Sequence, residues 1–235
     1  MPRYAMLIDL DRCFGCHTCA VACRAAWQVP VPYQRAWVRR LGPANTPAGL
    51  SHTFYPGHCA QCERPVCVNV CPVEKIDRPF EDRKSGAVQL LSVAATYKNP
   101  FTGIVEIDVD RCIGCGACVA ACPYGARFLD KTKPKPKADK CDFCKDLVAA
   151  GQQPACVRKC LCDARIFGDL DDPDSPLQPY LRKGTLRLES NAVRLGPHLY
   201  FSGRERDLLL LQSLCTPLEM PPSPQRRAVL SQMLP

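Results

Sequence analysis

The chain has 235 residues, 46% of them hydrophobic, which is enough for one or two domains with their own core. Its 23 prolines and 14 glycines exclude a regular helical bundle or one large sheet and predict short elements joined by loops. The formal net charge of +8, with cysteines counted as neutral, would by itself suggest nucleic acid or an anionic surface as partner.

Met1 to Leu10 lacks the apolar core of a secretory signal and carries Asp9, so the chain is expected to start directly on a structural element. The stretch Ile8-Asp9-Leu10-Asp11-Arg12-Cys13-Phe14-Gly15-Cys16 matches Ile107-Asp108-Val109-Asp110-Arg111-Cys112-Ile113-Gly114-Cys115 at seven of nine positions, an internal repeat. In the second copy Val105, Ile107 and Val109 alternate with Glu106, Asp108 and Asp110, which predicts a half-buried strand leading into the cysteine loop. The apolar runs at 19–23 and 118–122 predict one or two helical turns behind each loop.

Residues 24–58 contain Pro30, Pro32, Pro43, Pro47 and Pro56 and read as an extended connection, with Trp27 and Trp37 anchoring it by packing. Residues 73–103 hold two strand-like pieces, 86–91 and the start of the second repeat. The basic strip 131–137, alternating Lys and Pro, reads as a solvated polyproline-like linker. Residues 164–172 predict a strand followed by a turn at Pro173, Ser175 and Pro176. Around 208–214 an amphipathic helix is expected, then a proline-rich segment at 216–225, together a tail that packs or docks a partner. The apolar run 208–211 is flanked by Arg204, Glu205, Arg206 and Asp207, and no stretch approaches the ~18 apolar residues of a membrane span.

Sixteen of the eighteen cysteines fall into four quartets: Cys13/Cys16/Cys19/Cys23, Cys59/Cys62/Cys67/Cys71, Cys112/Cys115/Cys118/Cys122 and Cys141/Cys144/Cys156/Cys160. The first three are close variants of the iron–sulfur run C-x2-C-x2-C-x3-C, so the inventory is four [4Fe-4S] clusters, each held by four thiolates. Cysteines three apart on a tight loop aim their sulfurs into one concavity, and Gly15, Gly114 and Gly116 supply the backbone freedom that such a loop needs. A fourth cysteine four residues on leaves that concavity and reaches a neighbouring cluster, so quartets share ligands in pairs. Spacing alone leaves open which pairs.

A disulfide scaffold suits chains below about 100 residues, and zinc sites pair two C-x2-C knuckles instead of running three cysteines at steps of three. Four oxidised clusters with their thiolates contribute roughly −8, so the basic surplus reads as counter-charge for cofactors, with no nucleic acid implied. His17 and His58 border the first two quartets and read as neighbours of the clusters or solvent-facing groups, since the cysteine count is already complete. No nucleophile with its base and no phosphate-cradling loop stands out, so no catalytic site is expected.

With these motifs the chain resembles the four-cluster electron-transfer subunit of the molybdopterin oxidoreductases, the iron–sulfur subunit of dimethyl sulfoxide, polysulfide, thiosulfate, tetrathionate and arsenate reductases. The resemblance covers about residues 5–175 and rests on the four quartets in order, on His58-Cys59-Ala60-Gln61-Cys62, on Pro65-Val66-Cys67-Val68-Asn69-Val70-Cys71-Pro72, on Cys122-Pro123-Tyr124-Gly125-Ala126, on Lys140-Cys141-Asp142-Phe143-Cys144 and on Ala164-Arg165-Ile166-Phe167-Gly168-Asp169-Leu170. It implies an α+β fold of two ferredoxin-like two-cluster modules, loop-rich, with short antiparallel strands and short helices. An outer module would span 1–51 with 126–175, an inner one 52–125, and 176–235 would form the tail.

The resemblance also implies a nested ligand set: Cys13, Cys16, Cys19 and Cys160 on cluster 1; Cys23, Cys141, Cys144 and Cys156 on cluster 2; Cys59, Cys62, Cys67 and Cys122 on cluster 3; Cys71, Cys112, Cys115 and Cys118 on cluster 4. Adjacent pairing of quartets is the alternative. The implied function is relay of single electrons between a molybdopterin catalytic subunit and a quinone-linked membrane subunit, with membrane association through those partners. A soluble polyferredoxin, or a relay of a hydrogenase or formate dehydrogenase, is the other functional class. Two departures stand out: a long segment between Cys71 and Cys112, and Leu161-Cys162 after Cys160 where the family usually carries Pro. Cys160 is preferred as ligand over Cys162 because only it keeps the x3 step from Cys156, and Cys215 lies outside every motif.

Overall fold

The computed structural model describes residues 2–82, 85–190 and 194–214. Ala5, Met6, Leu7 and Ile8 are all buried in strand β1 (Tyr4–Asp9) because both of its faces are covered. Met6 and Ile8 enter the main core, while Ala5 and Leu7 pack with Leu177 and Tyr200 on the other side. After the first cysteine loop comes α1 (Thr18–Trp27), longer than the expected one or two turns. Ala20, Ala22, Ala25 and Ala26 extend it, alanine being the strongest helix former.

The reading of 24–58 as an extended connection is corrected here. Beyond α1 it forms a long antiparallel hairpin of β2 (Ala36–Thr46) and β3 (Gly49–His58), with Ala36 opposite His58 and Thr46 opposite Gly49. The register shifts between Leu41 and Ala44, which accommodates Pro43, and a two-stranded ribbon tolerates Pro56 where an amide would face outward.

Helix α2 (Val66–Asn69) carries Cys67. The predicted strand at 86–91 appears as β5 (Val88–Val93), and it pairs with an unpredicted partner, β4 (Ile76–Glu81). β6 (Thr96–Lys98) then pairs with β7 (Val105–Ile107), the strand of the second repeat. Its expected alternation fails at Glu106, which is buried and held by Lys145 at 2.6 Å, Asn99 Nδ2 at 3.0 Å and the Tyr97 hydroxyl at 3.2 Å. A buried carboxylate with three donors is satisfied where a bare one would not be.

Helix α3 (Ala117–Ala120) follows, then the ribbon β8 (Arg127–Asp130) and β9 (Lys137–Lys140). The basic strip between these strands is exposed from Lys131 to Pro136, as expected of a linker. Helices α4 (Lys145–Ala149) and α5 (Ala155–Arg158) lead to β10 (Arg165–Asp169), which lies in the stretch predicted as a strand. Next come α6 (Gln178–Lys183), β11 (Leu186–Arg187), β12 (Leu199–Ser202) and α7 (Glu205–Leu214). Four of these strands form one sheet in the order β10-β1-β12-β11, with β1 antiparallel to β10 and parallel to β12. The later part of the protein thus packs onto the first strand. Helix α7 lies against the β2–β3 hairpin, where Ser51 Oγ donates to the buried Asp207 carboxylate at 2.6 Å.

The architecture is α+β, made of short strands and helices with many loops. No helix among the described residues is long and apolar enough to cross a membrane. Cys215 and the proline-rich segment at 216–225 lie outside the described residues.

Candidate metal centres

Helix pairs carry the cysteines inward. α1, with Cys19 and Cys23, packs on α5 with Cys156; α2, with Cys67, packs on α3 with Cys118. The loops ahead of these helices use left-handed backbone: Gly15 and His17 in the first, Gly114 and Gly116 in the third, and Phe143 with Cys144 in the fourth. Successive turns of that kind point amides into a concavity that suits an anion.

The structure brings the thiols together in four places. Cys13, Cys16, Cys19, Cys160 and Cys162 line one cavity, and Cys71, Cys112, Cys115 and Cys118 line another. In a third place burial pushes the Cys23 thiol up to about 12, with Cys156 and Cys144 adding to the shift, and Cys141 is raised by burial and then by Cys23. In the fourth, burial raises Cys122 to about 12 with help from Cys59 and Cys67, and Cys62 is raised by burial and by Cys59, Cys122 and Cys67. Cys59 also acts on Cys141, and the Gln61 amide bridges the same two places, donating to Cys141 O at 2.7 Å and accepting from Val105 N at 2.8 Å. The four places therefore run in series, and the two ends hold the exposed Cys16 and Cys115.

An iron–sulfur cluster needs thiolates, room for several irons, and donors for its sulfides. Among the described residues no three His, Cys, Asp or Glu side chains close on one point as a single metal ion requires; at both ends the thiols ring a cavity, which suits a larger group. Donors wait there too. Arg127 Nη2, Arg165 Nε and Arg165 Nη2 are buried and have no hydrogen-bond partner among the described residues. A buried donor left without a partner costs about 1–3 kcal/mol, more when charged. Both guanidiniums face cysteine sulfurs, so the residues fit an anionic cluster and its ligands.

Several groups near the sulfurs escaped the sequence reading. Trp27 packs, as expected, under Arg35, but its Nε1–H also donates to Cys144 Sγ at 3.2 Å. Arg35 is tied to Asp139 at 2.7 Å and Asp142 at 3.6 Å. Lys140 is buried with Nζ on the carbonyls of Val105 and Cys141. Arg127 and Arg165 had one signal: each follows an Ala and stands five residues after the last cysteine of its quartet, Cys122 and Cys160. Of the remaining residues singled out, His17 is exposed at the start of α1. His58 is buried against Phe143 with Nδ1 on Cys59 O at 2.8 Å, and Trp37 packs edge-on to Tyr55.

Cysteine loops capped by short helices and backed by two-stranded ribbons define an iron–sulfur protein of the ferredoxin-like class. Comparison with known proteins narrows this. Residues 50–170 match the model of the 4Fe-4S dicluster domain, and residues 10–26 match a 4Fe-4S binding domain. The sequence is 40% identical over 188 residues to a polysulfide reductase chain of Wolinella succinogenes, covering 79% of this protein and 86% of that one. It is 36% identical to a tetrathionate reductase subunit of Salmonella typhimurium, covering 86% and 72%, and 40% identical to the thiosulfate reductase electron transfer subunit PhsB of Salmonella typhi, covering 73% and 79%. The protein belongs to the family of iron–sulfur electron-transfer subunits of molybdopterin-type oxidoreductases.

Trp27 offers a local test at Cys144. Hydrogen bonds to a ligand sulfur raise a cluster's potential by stabilising the extra electron. Trp27→Phe keeps an aromatic ring at this position and removes the N–H, so one redox step is expected at lower potential with the iron content unchanged. A titration in which no step moves would reject a tuning role for the indole.

Proposed function

We propose that this protein relays single electrons through four [4Fe-4S] clusters between a molybdopterin catalytic subunit and a quinone-linked membrane subunit. Each cluster, when bound, accepts and returns one electron. The ligands would be Cys13, Cys16, Cys19 and Cys160; Cys23, Cys141, Cys144 and Cys156; Cys59, Cys62, Cys67 and Cys122; and Cys71, Cys112, Cys115 and Cys118. The observation that carries this reading is the serial arrangement of the four thiol groups, linked in the middle by Gln61, with the exposed cysteines among the described residues, Cys16 and Cys115, at the two ends.

Those ends also carry apolar side chains suited to partner surfaces. Phe14 is 56% exposed beside Cys16, and Ile113 is 65% exposed beside Cys115. Contiguous exposed apolar patches mark interaction surfaces, and Phe14 and Ile113 would each contribute to one. By the resemblance, the first end meets the catalytic subunit and the last end the membrane subunit, through which the protein associates with the membrane. The modules 1–51 with 126–175 and 52–125 would hold two clusters each, with 176–235 packing or docking. The sixteen thiols leave no iron open to substrate, so the protein is a non-catalytic subunit. That the relatives are named as subunits of reductases supports a complexed relay over a freely diffusing carrier.

Iron quantitation with low-temperature EPR during stepwise reduction tests the reading. About sixteen irons per chain and four one-electron steps are expected. A total near twelve, or a fifth step, overturns it.

A further inference from the structure

We propose that Arg127 and Arg165 are shared counter-cations, each guanidinium setting the potentials of both clusters in its own pair. The inference rests on the ligand grouping proposed above.

Both side chains are among the most deeply buried in the protein, Arg127 at 1% exposure and Arg165 at 3%. A guanidinium is charged at any ordinary pH and is expensive to bury without an anion. Neither Arg127 nor Arg165 has a carboxylate in an ion pair among the described residues. Arg127 has only a long contact from Nη1 to Thr96 Oγ1 at 3.4 Å, and Arg165 Nη1 reaches Cys156 Sγ at 3.9 Å. The remaining anions are sulfurs, and they come from two groups in each case. Burial works against the charge of Arg127, and Cys67, Cys118, Cys59 and Cys122 restore it; Cys118 belongs to the last group and the other three to the third. Burial likewise opposes the charge of Arg165, and Cys156, Cys19 and Cys141 restore it; Cys19 belongs to the first group and the others to the second.

The other buried cations are already committed. Lys140 has carbonyl partners, and Arg35 has two carboxylates. Arg35 Nη1 also lacks a hydrogen-bond partner but has Asp142 at 3.6 Å; among the described residues, Arg127 and Arg165 are the buried guanidiniums left with unpartnered N–H groups and no carboxylate. Their placement repeats: each opens a strand, β8 or β10, five residues beyond a quartet's last cysteine.

A fixed positive charge favours the state with one more electron, so it raises a nearby cluster's potential. In a low-dielectric interior that effect falls only slowly with distance, so a charge between two clusters acts on both. Removing it should lower both together and leave the other pair, which has its own arginine, near its original values.

The test is a redox titration of the protein in its assembled complex, followed by low-temperature EPR, for wild type, Arg127→Met and Arg165→Met. Two of the four steps are expected to move to lower potential in each variant, and the two pairs should be disjoint. Movement of one step, of none, of all four, or of the same pair in both variants overturns the inference. Wild-type protein with fewer than four steps would count against the four-cluster reading itself. If a Met variant fails to assemble its clusters, the Lys variant at that position decides. Full iron with potentials near wild type supports the charge role, and failure like that of Met rejects it, because then the shape of Arg matters and not its charge.

Discussion

Cys160→Ala is expected to leave the protein about four irons short of its complement, whereas Cys162→Ala retains all of them. The two thiols compete for one place: both line the first cavity, and their sulfurs stand 3.8 Å apart. Their surroundings differ. Burial pushes the Cys160 thiol up, but the backbone N–H groups of Cys162, Arg165 and Ala164, joined by the Cys162 side chain, hold it below the ordinary thiol value. Burial raises Cys162, and the neighbouring Cys160 raises it further. These surroundings favour Cys160 over Cys162 as the thiolate that would bind iron, with the Cys162 thiol beside it able to donate to its sulfur. Cys162→Ala should then lower one potential without loss of iron, since a hydrogen bond to a ligand sulfur is removed. Iron and sulfide analysis of the two purified variants decides the matter. Full iron in Cys160→Ala with a deficit in Cys162→Ala would reverse the assignment.

The same pair shows which parts of the site were legible in the sequence. Quartets and the x3 step are local patterns imposed by loop geometry, so they can be read without a fold. That Cys162 shares a cavity with Cys160 depends on the turn at Asp163, which has left-handed backbone at φ 48°, and no spacing rule carries that information. Arg127 and Arg165 were hidden for another reason: an arginine opening a strand is ordinarily solvated, and only aligning the ends of the quartets, in addition to their beginnings, exposes the repeat. The β2–β3 hairpin was hidden by its prolines, which argue for loop until the register shift at Leu41 and Ala44 is known. Helix α7 was readable because its apolar spacing is local, as was β10. Trp27 was assigned correctly to packing, yet its bond to Cys144 spans 117 residues and cannot be inferred from neighbours in sequence.

Gly114→Ala is expected to empty the last site, while Gly15→Ala leaves iron complete. The two glycines hold equivalent positions in the repeat, both at φ +73°, so the backbone strain of an alanine, about 1–2 kcal/mol, is common to both. What differs is the obstacle. A Cβ on Gly15 would lie 2.3 Å from the Phe54 ring, a partly exposed side chain that can swing aside. A Cβ on Gly114 would lie 2.2 Å from the carbonyl oxygen of Pro136, which is main chain. That stretch cannot withdraw cheaply, because Lys137 Nζ donates to Asp110 O at 3.2 Å and Cys112 O at 2.7 Å, and Ala138 N donates to Cys112 Sγ at 3.4 Å. Backing away breaks the bonds that seat Cys112, and staying distorts the loop that carries Cys112, Cys115 and Cys118. Either way three of the four proposed ligands move, so iron should fall by about four atoms per chain. Gly15→Ala should instead cost about 1–2 kcal/mol of stability with a full complement. Equal iron loss in the two variants would mean that strain at the glycine, and not the Pro136 carbonyl behind it, decides whether the loop can hold its cluster.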